Sequence, residues 1–174
     1  MGSRHVLLAL AGLLAAGALV GGCGKEIGDA CTLASDCSPN GDRICQCSNC
    51  SGTDPTGDSA KGYCTIQGCD FGTCPGEAVC VRFFTGSFDN KPCTPQTADT
   101  DCSIDELCSL AGNCVPRSAE VRYCMLKCDS GGDCRDNFEC RDKTLMMEHG
   151  GEPVPQQGTT LNADNPPKFC AAKP

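Results

Sequence analysis

The chain has 174 residues, 19 of them Cys, 21 Gly and 11 Pro, with no Trp and a formal net charge of −8. Cysteine at this density marks a disulfide scaffold and excludes a reducing compartment. The acidic balance speaks against nucleic acid as a partner, because the surface repels phosphate backbones.

Arg4 and His5 form a short positive start, and Val6 to Val20 follow without charge or Pro. Those 15 residues suit the apolar core of a secretory leader and are too short for a membrane span, which needs roughly 18 or more. The run closes on Leu19-Val20-Gly21-Gly22-Cys23. This stretch resembles the lipobox of bacterial lipoproteins. The resemblance implies a leader over 1–22, cleavage between Gly22 and Cys23, acylation of the Cys23 sulfur, and a mature chain that begins there. Gly24 stands where an Asp would, in that family, retain the protein in the inner membrane, so the outer membrane is the implied site. Several acyl chains, at about 0.8 kcal/mol per buried methylene, make such an anchor effectively permanent. Residues 23–30 then form the lipidated N-terminus and a tether whose last seven residues reach at most about 25 Å.

The mature part has 152 residues and 18 further cysteines, an even number: Cys31, Cys37, Cys45, Cys47, Cys50, Cys64, Cys69, Cys74, Cys80, Cys93, Cys102, Cys108, Cys114, Cys124, Cys128, Cys134, Cys140 and Cys170. Leu, Ile, Val and Phe supply only 21 of those 152 residues, too few for an ordinary apolar core. Disulfides worth about 2–4 kcal/mol each must therefore oppose the chain entropy. The expected fold class is small and disulfide-rich: an array of short β-hairpins and loops with little helix and no large hydrophobic core.

A cysteine triplet recurs along the chain. Its copies are Cys31-x5-Cys37-x7-Cys45 (extended by Cys47, Cys50 and Cys64), Cys69-x4-Cys74-x5-Cys80, Cys102-x5-Cys108-x5-Cys114 (led by Cys93) and Cys128-x5-Cys134-x5-Cys140. Asp precedes a cysteine in Asp36-Cys37, Asp101-Cys102 and Asp133-Cys134. Spacing alone leaves the pairing open, since 18 cysteines allow about 3 × 10⁷ connectivities. Extended segments are predicted at 62–66, 78–84, 112–115, 121–125 and 138–141, where β-branched and aromatic residues lie between turn formers. Ala111-Gly112-Asn113 reads as a hairpin turn, and Ser103-Ile104-Asp105-Glu106 as a capping box that opens one helical turn.

The predicted organisation is units one and two over 31–84, a linker over 85–92, and units three and four with a C-terminal loop over 93–174. Residues 51–60 read as a loop inside the first unit. Residues 141–169 read as a mobile loop tied down at Cys170, with Leu145-Met146-Met147 as an apolar patch for local packing.

The Cys-x(n)-Asp-Cys-x5-Cys-x5-Cys layout over 31–140 resembles the cysteine-rich modules typified by the dickkopf N-terminal region, and the cysteine-rich repeats of many bacterial lipoproteins. The resemblance implies a module type and no activity.

Cys47-Ser48-Asn49-Cys50 is a CxxC, but no second CxxC or His pair accompanies it, so structural disulfides are expected in place of zinc or redox chemistry. No cofactor is expected. Calcium is the metal alternative, with Asp101, Asp105, Asp129 and Asp133 as candidates on cysteine-pinned acidic turns. Those turns resemble LDL-receptor class A modules, with a shorter cysteine gap and an incomplete acid set. Asp99-x-Asp101-x-Ser103 also starts like an EF-hand loop, but Ile104 and Leu110 stand where that loop needs Gly and Glu. The mature chain has one His, His149, and no Ser/His/Asp set can be named, so no catalytic residue and no enzyme is expected. The function expected is a membrane-anchored, disulfide-braced interaction module of the cell envelope, with a protein or glycan partner. The alternatives are a protease inhibitor, with 83–92 or 141–169 as its loop, and a purely structural envelope protein.

Overall fold

The computed structural model describes residues 24–38, 40–47, 62–89, 91–159 and 164–174. The leader, the Gly22–Cys23 cleavage and lipidation site, Cys50 and the 51–60 loop lie outside the described residues. The fold is the expected one: short strands and turns, held by disulfides, with little helix.

Four cysteines define each repeating unit. Taken in chain order as a, b, c and d, they pair a with c and b with d. The first unit joins Cys31 to Cys45 and Cys37 to Cys64. The second joins Cys69 to Cys80 and Cys74 to Cys124. The third joins Cys93 to Cys108 and Cys102 to Cys114, and the fourth joins Cys128 to Cys140 and Cys134 to Cys170. Cys47 is also disulfide-bonded, outside this pattern.

The strands explain the crossing. In the first unit β1 (Ala30–Cys31) leads to the helical turn α1 (Ala34–Cys37), then to β2 (Ile44–Gln46) and β3 (Gly62–Thr65), with β3 central in an antiparallel sheet. Cys45 lies directly opposite Cys64 across β2 and β3. The second unit contributes β4 (Ala78–Phe84). The third follows at once, with α2 (Ala98–Asp101) and the hairpin of β5 (Glu106–Cys108) and β6 (Cys114–Pro116), where Cys108 faces Cys114. Only then does the chain return as β7 (Glu120–Leu126), which pairs with β4 over seven residues and sets Cys124 opposite Cys80. The fourth unit pairs β8 (Phe138–Arg141) with a C-terminal strand, Phe169–Ala172, so that Cys140 faces Cys170.

Residues directly opposite on antiparallel strands share a face. The c and d cysteines of every unit therefore emerge side by side. They do not bond to each other; each takes a partner from the a–b turn laid over that face. Gly62 shows how close the approach is: a Cβ there would run into the Cys45 sulfur.

Several expectations are corrected. The third triplet is shifted by one cysteine: the unit is 93–102–108–114, with Cys93 as its a position. The partition into 31–84 and 93–174 does not follow the units, because Cys74 reaches Cys124 across the 85–92 segment and the third unit is inserted between β4 and β7. Ser103 to Glu106 opens no helix. The Glu106 carboxylate does reach back to accept the Ser103 N–H at 2.8 Å, but it closes a turn that enters β5. The first half of 141–169 is ordered. Asp142 caps the helix α3 (Lys143–His149) by accepting the Leu145 N–H at 3.1 Å, and Gly150 ends it with φ 81°. Next β9 (Glu152–Pro153) pairs with β4, and the chain ends in β10, the Phe169–Ala172 strand already described.

A small core sits where the first, second and fourth units meet. Ile27, Tyr63, Val81, Met125, Met146, Val154 and Phe169 are buried there with Cys69, Cys80 and Cys124. Met146 of the Leu145-Met146-Met147 patch packs into it as expected, whereas Met147 is 47% exposed.

Candidate functional site

The residue before the d cysteine is Tyr63, Tyr123, Asn113 and Phe169 in units one, two, three and four. Successive strand residues point to opposite faces. Each ribbon thus carries cystines on one face and, in three units, an aromatic ring on the other. Those three rings converge. Phe83 of β4 meets Tyr123 at 6.3 Å and 54°, and Phe169 edge-on at 6.2 Å and 87°. Tyr63 stacks on Phe138 at 5.3 Å, and the Arg135 guanidinium lies 4.1 Å over the Phe138 ring while donating to the Gly62 carbonyl at 2.9 Å.

An open groove of about 650 Å³ runs along this convergence. Its floor is Tyr63, Phe83, Tyr123, Met125 and Phe138 with the buried Arg141; Gln46, Asn137, His149 and Lys173 line it too. Both tyrosines of the chain line it, and no Asp or Glu does among the described residues.

The deeper polar groups are already engaged. The Tyr63 hydroxyl accepts the Leu126 N–H at 2.8 Å and donates to the Cys170 carbonyl at 3.4 Å, so one phenol ties three units together. Burial pushes its pKa up to about 12, against the smaller opposing pull of the Leu126 N–H and the Arg135 charge. The Thr65 hydroxyl donates to the Cys124 carbonyl at 2.7 Å. Arg141 donates through Nε to Glu139 at 3.0 Å, through Nη1 to the His149 and Gly150 carbonyls at 2.8 Å each, and through Nη2 to Ala172 at 2.7 Å. It thereby holds the C-terminal end of α3 against β10.

His149 Nδ1 lies 2.6 Å from the same Glu139 oxygen. Burial would raise the Glu139 carboxyl, but hydrogen bonds from His149 and Arg141 outweigh it and hold Glu139 below the usual carboxylate range. The tertiary structure makes His149, the one His of the mature chain, part of the groove wall. The groove-lining hydroxyl besides the tyrosines is that of Thr65, which is buried and has given its proton to a backbone carbonyl. The His–Glu pair thus has no serine or threonine nucleophile to activate among the described groove residues.

The acidic turns have a structural use. Asp36 accepts the Thr32 and Leu33 N–H groups at 2.8 and 2.9 Å; Asp133 accepts those of Asp129 and Ser130 at 2.9 and 2.8 Å. These amides hold both carboxyls below the usual range. In the second unit the Thr73 hydroxyl accepts the Asp70 N–H at 2.8 Å, and in the third Thr97 accepts that of Thr94 at 3.1 Å. The device is a side-chain clamp that closes the a–b turn. Of the calcium candidates, Asp133 is such a clamp, Asp101 ends α2, and Asp105 and Asp129 accept backbone and lysine protons through their carbonyls. Among the described residues, the groups of three close metal-ligating side chains consist of disulfide cysteines, one group per unit.

A buried ion pair fixes the inserted third unit. Glu152, 3% exposed, accepts from Arg82 Nε at 2.7 Å with one carboxylate oxygen and from the Leu110 N–H with the other. No helix among the described residues is long and apolar enough to cross a membrane. No family model matches the chain, and neither a curated protein nor a solved structure does.

Proposed function

We propose that this chain is a lipid-anchored binding module of the bacterial cell envelope, held to the outer membrane through Cys23 and presenting the aromatic groove to a partner. The single observation that carries the reading is the groove itself. Three disulfide-braced ribbons turn their non-cystine faces together, yet leave about 650 Å³ open to solvent between them. Chains this poor in apolar residues gain stability by closing such surface, and rings left in an open trough are the usual mark of a binding site. Disulfide bracing on all sides makes the groove preorganised, which lowers the entropy lost on binding.

The reading is non-enzymatic. It is favoured over protease inhibition because part of each candidate loop is engaged: Phe83 and Phe84 lie within β4, and 143–153 carries helix α3 and strand β9.

Two experiments test it. A Cys23→Ser variant should leave the membrane fraction, while the native chain should gain the mass of its acyl groups. A photo-crosslinking side chain at Ala172, exposed on the groove rim, should trap an adduct in living cells. The same probe at Asp105, in the inserted third unit, should trap none. Equal labelling at both positions, or none at either, would favour the structural-protein alternative.

A further inference from the structure

We infer that the groove's ligand is a small amphipathic carboxylate, an apolar body with one anionic head, of the fatty-acid type. This rests on the binding-module reading above and deepens it.

The argument begins with charge. The chain carries 22 acidic and 14 basic residues, yet among the described residues no acid lines this groove, whereas Arg141, His149 and Lys173 do. Glu139 sits behind the wall and balances Arg141 through the 3.0 Å Nε contact. That leaves Lys173, whose ammonium pairs with no side-chain carboxylate among the described residues, as the basic side chain at this end of the trough. Of the five Arg141 protons four are engaged and one Nη2 proton is left. An ammonium and a guanidinium lining one groove, with Asn137 bonded through its carbonyl to the Lys173 N–H, suit a single carboxylate. A cationic head would find no carboxylate among the described lining residues.

The floor decides what the rest of the ligand is. A sugar needs a flat exposed ring face. Here Phe138 has Arg135 over its ring and Tyr63 stacked on it, and Phe83, Tyr123 and Phe169 meet at 54° and 87°. The trough therefore offers mutually tilted rings, the adaptable Met125 thioether and Ala171, a surface that fits a flexible apolar chain. Its volume of about 650 Å³ falls within the roughly 300–1,000 Å³ range of small-molecule sites.

The test uses the full mature chain secreted as Cys23→Ser, so that neither acyl anchor nor detergent competes, and decanoate as the probe. The chain has two tyrosines and no Trp, and both tyrosines line the groove, so intrinsic tyrosine emission reports occupancy. Decanoate should saturate at one per chain, change that emission and weaken with added salt. Lys173→Glu, at an exposed penultimate residue, should weaken binding by about tenfold while leaving thermal unfolding unchanged. Decylammonium should bind at least about tenfold more weakly than decanoate. Equal binding of the two, or an unaltered affinity in Lys173→Glu, would overturn the inference. Absence of decanoate binding while Ala172 still traps an adduct in cells would overturn the ligand class and leave the binding module standing. Loss of both would remove the two together.

Discussion

Units two and three obey the same crossed-cystine rule and could hardly be more different in reach. The third closes with separations of 15 and 12 residues, each joining the turn ahead of the β5–β6 hairpin to one of its strands. The second closes with 11 and 50, and its ribbon cannot pair until the third unit has been made and passed. The difference continues on the far face. Unit two turns Tyr123 to the convergence of rings; unit three has Asn113 at the same position, and its buried Leu107 and Val115 lie outside the shared core. The lesson is that the cystine pattern builds a ribbon, while the residue beside the last cysteine decides whether that ribbon gives a ring to the core or, as in unit three, meets it only at its turn through Leu110.

The comparison can be broken most severely at the cystines. Removing Cys74–Cys124 by paired Ala substitution should cost about 4 kcal/mol, and removing Cys93–Cys108 about 3 kcal/mol, from loop entropy alone. The sharper expectation concerns reach. Amide exchange should accelerate through β4, β7 and β9 in the first variant, but only over 93–116 in the second. Equal spread in both would mean that the third unit is no separate body.

Next comes the Glu152 anchor. Glu152→Gln leaves the part-buried Arg82 without its charge partner and should cost roughly 2 kcal/mol in a denaturant titration. It should also speed exchange of the Leu110 amide before that of β4, because the carboxylate is the tie between the inserted unit and the main sheet.

Tyr63→Phe sharpens the other half of the comparison, the shared core. It strands the Leu126 N–H and should cost about 2 kcal/mol. The pH dependence follows from the raised pKa. The phenol is ordinarily near 10 and is held at about 12 in the fold, so its contribution is whole below pH 10 and is lost as pH rises toward 12. The wild type should show this alkaline limb in equilibrium unfolding, and Tyr63→Phe should not.

The smallest effect belongs to the turn clamps. Asp36 and Asp133 have lowered carboxyl values, so their contribution is present above the ordinary value of 3.8 and is lost as pH falls below it. Asp133→Asn should be less stable than wild type near neutral pH, and the two should converge in acid. The Thr73 clamp of unit two carries no carboxyl and should contribute nothing to that acid limb.

Much of this was legible in the chain. The strands at Ala78–Phe84 and Phe138–Arg141 coincide with predicted segments, and the Ala111–Asn113 turn closes the β5–β6 hairpin. Helix α3 was not read, because Lys143 to His149 is short and its periodicity weak. Its cap at Asp142 and its Gly150-Gly151 exit were the available signs. The groove could have been suspected from aromatic–Cys pairs at Tyr63-Cys64, Tyr123-Cys124 and Phe169-Cys170, a repeat of residue types that cysteine counting alone passes over. The reach of Tyr63 to Leu126 and Cys170 had no local sign, since it spans 63 and 107 residues.

The sequence by itself determined the chemistry of stability: too little apolar mass for a core, an even set of cysteines after Cys23, and turns and short strands at regular intervals. Those properties depend on composition and on neighbours a few residues apart. The tertiary structure decided the pairing, the insertion of one unit into another and the groove. Each of these depends on which strand lies beside which, as when β7 crosses past unit three to meet β4. A local spacing carries no information about a partner fifty residues away.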